Sequence, residues 1–136
     1  MCDKPFSLSV KIILQDDENR WLLLRRSSRS VWNPGKWEIP GGKIQINESI
    51  QETVLRETLE ETGLETKIQG VLGAVEDETE NLRLAHLILV GDLKSKEINL
   101  SNEHDKYAWA SFEEMQDMDL CGYMYYLIRL WGNYGK

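Results

Sequence analysis

Three glutamates near the middle of the chain have a spacing that concentrates negative charge on one face of a helix. Glu57, Glu60 and Glu61 fall within an arc of about 100° if this segment is helical, together with Ile50 and Val54. Two carboxylates about 6 Å apart repel by roughly 0.7 kcal/mol in water and by roughly 3 kcal/mol at an effective dielectric of about 20. The cluster favours a hard divalent cation, Mg²⁺ before others, held by carboxylate oxygens. The alternative is an ordinary solvated acidic face.

The segment 20–43 has the opposite charge. Its lysines and arginines are accompanied by a single acid, Glu38. Because the planar guanidinium group suits phosphate oxygens, Arg25, Arg26 and Arg29 are candidates for holding phosphates. The alternative for each is a charge that keeps a strand edge soluble.

The composition limits the classes of protein that this chain can belong to. It has 136 residues and a net charge of −7, with 41% hydrophobic residues, which fits one domain, 1–136, with a packed core. The acidity argues against binding a nucleic acid polymer. No apolar run approaches the roughly 18 residues of a membrane span, and the first residues lack a secretory signal. Cys2 and Cys121 are interpreted as free thiols, so we expect a cytoplasmic protein.

Local patterns predict the elements that must position these side chains. Apolar and β-branched residues between turn signals predict strands over 7–14, 21–25, 36–39, 67–75, 82–93 and 107–110. The first two strands are expected to form a hairpin through the turn at 16–19, and 40–42 is expected to stop the third. With the helices described next, this order predicts an α+β fold with a mixed-sheet sandwich.

The acidic segment is predicted to be a helix over 49–62. Ser49 and Glu52 fit a capping box, Asn47 competes as the N-cap, and Gly63 suits a left-handed C-cap. A second capping box begins at Ser111, and a closing helix is predicted over 120–131.

The residues around the glutamates form a longer pattern, Gly42-x5-Glu48-x7-Arg56-Glu57-Thr58-x-Glu60-Glu61-x-Gly63-Leu64. This pattern, at 42–64, resembles the Nudix box of the Nudix hydrolases, except that Thr58 stands where the box has an aliphatic residue. We expect Thr58 to pack there at a modest cost. Pro40-Gly41, Arg25-Arg26 and Glu103 extend the similarity to about 5–130 and to the MutT-like subgroup.

The resemblance implies a Nudix fold, with a mixed β-sheet sandwiched between α-helices, and hydrolysis of a diphosphate with Mg²⁺, for which Mn²⁺ can substitute. It implies a metal site made of the Gly41 carbonyl and three glutamates, Glu57, Glu60 and Glu61. Glu48 would pair with Arg56 and orient the helix. The candidates for the water-activating base are Glu57 and Glu103, in that order.

The resemblance also suggests where a nucleotide would bind. Arg26 matches the MutT-like phosphate contact, and Ile39, with Trp37 and Trp32, lies where MutT-like enzymes build the base pocket. The leading hypothesis is cleavage of a nucleoside triphosphate to the monophosphate and pyrophosphate. The alternatives are hydrolysis of another nucleoside-diphosphate derivative and a non-catalytic nucleotide sensor, although sensors usually lose box glutamates. An apolar strand edge could support a homodimer.

Overall fold

A computed structural model describes residues 4–134, so the thiol predicted at Cys2 lies outside the described residues. Along this range the elements follow in the order β1 (Phe6–Leu14), β2 (Trp21–Arg26), β3 (Trp37–Glu38), β4 (Gly41–Lys43), α1 (Ile50–Thr62), β5 (Thr66–Glu78), β6 (Arg83–Leu93), β7 (His104–Ala110), α2 (Phe112–Met115) and α3 (Gly122–Tyr134). None of the helices within 4–134 combines the length and hydropathy that crossing a membrane requires.

The strands form two sheets that lie between the long helices. The larger sheet has the order β4-β1-β6-β5, with β1 and β6 parallel and the other pairs antiparallel. The smaller sheet is antiparallel, with the order β3-β2-β7. Val54 of α1 belongs to one hydrophobic core, and Met124 and Leu127 of α3 belong to the other. The predicted α+β fold, a mixed sheet between helices, is therefore confirmed.

Strand β1 is buried on both faces from Ser9 to its end. Ile12 and Leu14 pack in the core that contains α1, whereas Ile13 packs in the core that contains α3. Successive side chains of a strand point to opposite faces, so two cores require an almost continuous apolar run. Lys11 interrupts this run and is nevertheless buried.

The predicted hairpin between the first two strands is wrong. Strands β1 and β2 belong to different sheets, and the chain between them is paired at the isolated bridge between Gln15 and Trp21. Asp16 does form the turn, because its side chain accepts the Glu18 and Arg20 backbone N–H groups. The turn therefore reverses the direction of the chain, but β1 pairs with β4 and β6 and not with β2.

Helix α1 begins and ends where the sequence predicts. Ser49 is the N-cap of a capping box with Glu52, and Gly63, at φ 74°, donates its N–H to the Leu59 carbonyl. Asn47 does not cap the helix; it lies in the preceding loop at φ 72°. Thr58 is fully buried in the position of the expected aliphatic residue.

The segment after Pro40 was predicted to stop a strand but itself forms β4. Gly41, Gly42 and Lys43 pair with Lys11, Val10 and Ser9 of β1. A side chain at Gly41, where φ is 143°, would place its Cβ 2.1 Å from the Val10 carbonyl oxygen. The glycines that argue against a strand are needed here because the two backbones approach closely.

Candidate active site

A cleft of about 350 Å³ opens where α1, β4 and the adjoining ends of β2 and β7 meet. The acidic side chains in its lining are Glu38, Glu57, Glu61, Asp77 and Glu103. Arg26 and the backbone of Gly41 and Gly42 also line it. Five of the residues that the sequence selected for chemistry therefore meet in one depression, namely Arg26, Gly41, Glu57, Glu61 and Glu103.

Glu61 is the most deeply buried of the predicted metal ligands. Its side chain is 5% exposed, and one carboxylate oxygen accepts the backbone N–H of Gly41 at 3.0 Å. Burial raises the pKa of Glu61 well above its ordinary value, because the interior disfavours the charged form. The ionised Glu61 carboxylate would be stabilised by a cation bound beside it, and without a cation its burial destabilises the folded protein.

Glu57 lies one helical turn earlier and packs its carboxylate against Gly42. A Cβ at Gly42 would lie 2.5 Å from the Glu57 Cδ, so only glycine allows this approach. Burial raises the pKa of Glu57, although the Arg56 guanidinium opposes the shift.

The repulsion expected along α1 is relieved by Arg56. Its guanidinium donates to both oxygens of Glu48, at 2.6 and 2.9 Å, and to Glu57 and Glu60, each at 3.1 Å. The hydrogen bonds from Arg56 lower the pKa of Glu48. Arg56 holds Glu60 next to Glu57, but Glu60 is 58% exposed at its side chain and lies outside the cleft lining that contains Glu57 and Glu61.

Glu103 and His104 bring a third element to the same place. A carboxylate oxygen of Glu61, one of Glu103 and a ring nitrogen of His104 all lie within 4.8 Å of one another. His104 is buried, and its Nδ1 has no hydrogen-bond partner among the described residues. A group of two carboxylates and an imidazole at this spacing could hold a divalent cation.

Two buried charges in the cleft lining were missed by the sequence reasoning. Lys11 donates to Glu38 at 3.1 Å, and the two side chains are only 7% and 5% exposed. Burial alone would raise the pKa of Glu38, but Lys11, His104 and Arg26 hold it well below its ordinary value. Both residues carried a signal, since Lys11 is a lone charge in an apolar strand and Glu38 a lone acid among bases.

Arg26 is held by the protein on several sides. It donates to Glu38 at 2.9 Å, to the Ser30 hydroxyl at 2.7 Å and to the Trp32 carbonyl at 2.6 Å. These bonds leave one N–H on each terminal nitrogen of the guanidinium. Of the other candidates, Arg25 forms a bidentate pair with Asp105 at 2.8 and 3.0 Å, and Arg29 lines a neighbouring depression.

Of the three residues predicted to build the base pocket, Ile39 and Trp37 do not reach the cleft. Ile39 is fully buried in the hydrophobic core, and Trp37 packs against that core, so neither lines the cleft. The backbone explains this placement, because Trp37 donates to the Asp119 carbonyl and is thereby drawn against α3. Trp32, the third predicted residue, does line the cleft and is 51% exposed, and its neighbour Asn33 on the loop after β2 lines it as well.

His86 forms part of the inner wall of the cleft. Its Nδ1 shares a hydrogen bond with the Ser9 hydroxyl, and its ring lies 4.2 Å from the Tyr123 ring between centroids. Burial lowers the pKa of His86 to about 4, and the charge of Lys11 adds to the shift. His86 is therefore neutral at pH 7.

This burial predicts a loss of stability in mild acid. Between pH 6.5 and 4 the unfolded chain protonates this histidine and the folded protein does not, so the free energy of unfolding falls as pH falls. Relative to His86→Gln, the wild type should lose about 2–3 kcal/mol more between pH 7 and pH 4. Urea unfolding at both pH values measures the difference. Equal losses in the two proteins would contradict a buried, neutral His86.

Comparison with known proteins gives a consistent result. A family model described as the NUDIX domain matches residues 5–130. The chain is 25% identical over 118 residues to nucleoside triphosphatase NudI of Klebsiella pneumoniae, covering 79% of this chain and 84% of that protein. It is 38% identical over 69 residues to an ADP-ribose pyrophosphatase of Methanocaldococcus jannaschii, covering 49% and 38% of the two chains.

A solved structure agrees over the whole length. The crystal structure of a MutT protein from Methanosarcina mazei Go1 superposes with a TM-score of 0.90, at 33% identity and with both chains fully covered. The family model includes both α1 and Glu103, which come together at the cleft. The chain therefore belongs to the Nudix family and is a MutT-like Nudix hydrolase.

Proposed function

We propose that this protein is a Mg²⁺-dependent pyrophosphohydrolase that cleaves a nucleoside triphosphate to the nucleoside monophosphate and pyrophosphate, with Mn²⁺ as a substitute. The observation that carries the proposal is the convergence of Glu57, Glu61 and Glu103 in one cleft that also contains Arg26. Binding a polyphosphate requires carboxylates that hold a cation and a positively charged side chain that donates hydrogen bonds to the phosphate oxygens. The similarity to a nucleoside triphosphatase over 79% of the chain supports this substrate class.

The surroundings of each carboxylate indicate whether it would bind the metal ion or position the helix. Glu61 and Glu57, with the Gly41 carbonyl, would hold the cation, and Glu60 would join them from the rim. A bound Mg²⁺ neutralises phosphate charge and lowers the pKa of water. Glu48 and Arg56 keep α1 in place through their two hydrogen bonds.

We assign the general base to Glu103 in preference to Glu57. The Glu57 carboxylate already accepts from Arg56 and packs on Gly42. The Glu103 side chain makes no hydrogen bond to the other described residues, so its carboxylate is available to accept a proton from water.

The experiment is a panel of nucleotides incubated with Mg²⁺, Mn²⁺ or EDTA, with products separated by chromatography. We expect a nucleoside triphosphate to yield its monophosphate and pyrophosphate with either metal and nothing in EDTA. Release of orthophosphate would contradict the proposed bond cleavage. Tight binding of one nucleotide without turnover would instead support a sensor.

A second substrate class belongs in the same panel. The relative named ADP-ribose pyrophosphatase is 38% identical, although only over 69 residues, which cover 49% of this chain. A kcat/KM for ADP-ribose above that for every triphosphate would favour hydrolysis of nucleoside-diphosphate derivatives.

We propose that Trp32 stacks on the base, because it is the half-exposed aromatic side chain at the cleft mouth. Stacking on an aromatic ring contributes about 1–3 kcal/mol, so Trp32→Ala should raise KM about tenfold and change kcat little. The bond from Arg26 to the Trp32 backbone carbonyl would remain. Val31→Ala, at a neighbouring side chain that is 86% exposed, is the matched control in the same steady-state assay. Equal KM values for the two variants would exclude a stacking role.

A further inference from the structure

The buried carboxylate of Glu38 connects three strands at the base of the cleft. One oxygen accepts from Lys11 of β1 at 3.1 Å, and the other accepts from Arg26 of β2 and from His104 of β7, each at 2.9 Å. Both oxygens are thus occupied by protein donors, and the side chain is 5% exposed. Glu38 is consequently placed to orient other groups and not to bind substrate.

One of the groups it orients is the Arg26 guanidinium. Glu38, the Ser30 hydroxyl and the Trp32 carbonyl hold it from different sides. A guanidinium with a fixed plane binds phosphate oxygens with little further loss of rotational freedom. If the Glu38 charge is removed, the terminal nitrogen that it holds loses its charged acceptor, and the guanidinium is oriented by the remaining bonds to Ser30 and Trp32.

The other group is Glu103. Its neighbour His104 is only 1% exposed at the side chain, and because an ionised carboxylate can only accept, the His104 Nε2 donates to Glu38. The Glu103 backbone carbonyl accepts the Ser27 N–H at 3.0 Å, so Glu103 is tied to the segment that follows β2, whereas His104 is tied to β3 through Glu38. The start of β7, which carries Glu103 into the cleft, is fixed from two directions.

We propose that Glu38 is a positioning residue that acts through Arg26 on phosphate binding and through His104 on the placement of Glu103. One buried carboxylate thereby sets the distance between the group that holds the polyphosphate and the group that activates water. This inference rests on the proposed function, because it assigns Arg26 and Glu103 the roles given there.

The test is a double-mutant cycle with Glu38→Gln and Arg26→Met, read as KM and kcat separately. Each single variant should raise KM about tenfold, the usual effect of losing a hydrogen bond to a charged group. In the Arg26→Met protein, Glu38→Gln should raise KM less than about threefold more, because the group through which it acts is gone. Glu38→Gln should still lower kcat about tenfold in the Arg26→Met protein, as it does in the wild type, because loss of the Glu38 charge displaces Glu103 whether or not Arg26 is present.

Additive effects on KM would overturn the connection to Arg26, and an unchanged kcat would overturn the connection to Glu103. If Glu38→Gln does not fold, the cycle is measured in a Lys11→Met background, which contains no unpaired buried ammonium group. If the wild type hydrolyses no nucleotide, the proposed function fails by itself. The cycle is then read as the Kd for inorganic tripolyphosphate with Mg²⁺ by calorimetry, where non-additivity is again expected and additivity overturns the connection.

Discussion

Replacing Glu61 by glutamine is expected to lower kcat about a thousandfold and, in EDTA, to raise the melting temperature. The loss of activity follows from the several kcal/mol that a bound cation contributes to a phosphoryl transition state, since about 4 kcal/mol corresponds to about a thousandfold. Glutamine retains an oxygen for the Gly41 N–H, which the Glu61 carboxylate accepts at 3.0 Å. The variant therefore removes the charge and keeps the hydrogen bond.

The gain in stability follows from the raised pKa of Glu61. A carboxyl group whose folded pKa lies above its unfolded value favours folding below the unfolded pKa, and this contribution is lost as pH rises through the folded pKa. Without a cation, the wild type should thus be less stable than Glu61→Gln at pH 8 by about 1 kcal/mol, or about 3–5 °C. The difference should vanish near pH 4.

Calorimetric scans in EDTA and in Mg²⁺ measure this exchange of stability for activity. Mg²⁺ should raise the melting temperature of the wild type and leave that of Glu61→Gln nearly unchanged. Glu65→Gln, an exposed position just beyond α1, is the matched control and should behave as the wild type does. A fully active Glu61→Gln protein would refute the assignment of Glu61 as a metal ligand. A melting temperature of Glu61→Gln below that of the wild type in EDTA would refute the claim that the buried, ionised carboxylate destabilises the wild type.

The elements that depend on local chemistry could be predicted from the sequence. The capping box at Ser49 and the left-handed Gly63 set the ends of α1, because both act through backbone groups within a few residues. Strand pairing could not be predicted in the same way. The turn at Asp16 suggests a hairpin, yet the partners of β1 are β4 and β6, which lie farther along the chain than the strand that follows this turn.

In the candidate site, too, the contacts within one helix could be predicted from the sequence, whereas the contacts between strands could not. Glu57 and Glu61 share a helix face, so their proximity follows from the helical period. Two of the three partners of Glu38, Lys11 and His104, are 27 and 66 residues away in sequence. A lone lysine in an apolar strand and a lone acid among bases each indicate something unusual, but only the packing of the strands shows that they meet.

The burial of this pair predicts a large effect on stability. Glu38→Gln should lower the free energy of unfolding by about 3–5 kcal/mol, because Lys11 keeps a buried charge that has lost its counter-charge. Glu38 has a folded pKa below its unfolded value, so its contribution is present above about pH 4 and is lost as pH falls further. The difference between variant and wild type should accordingly be full at pH 7 and shrink below pH 4.

A surface pair of the same length provides the control. Lys4 and Glu78 also approach to 3.1 Å, but their side chains are 28% and 56% exposed, so Glu78→Gln should cost less than about 1 kcal/mol. The double variant Lys11→Met with Glu38→Gln should recover most of the lost stability, because an apolar side chain replaces the unpaired ammonium group. Urea unfolding at pH 7 compares the four proteins. If Glu38→Gln lowers the free energy of unfolding no more than Glu78→Gln does, then burial does not determine the strength of the Lys11–Glu38 pair. The Lys11 ammonium group must then be stabilised by the Glu61 carboxylate instead.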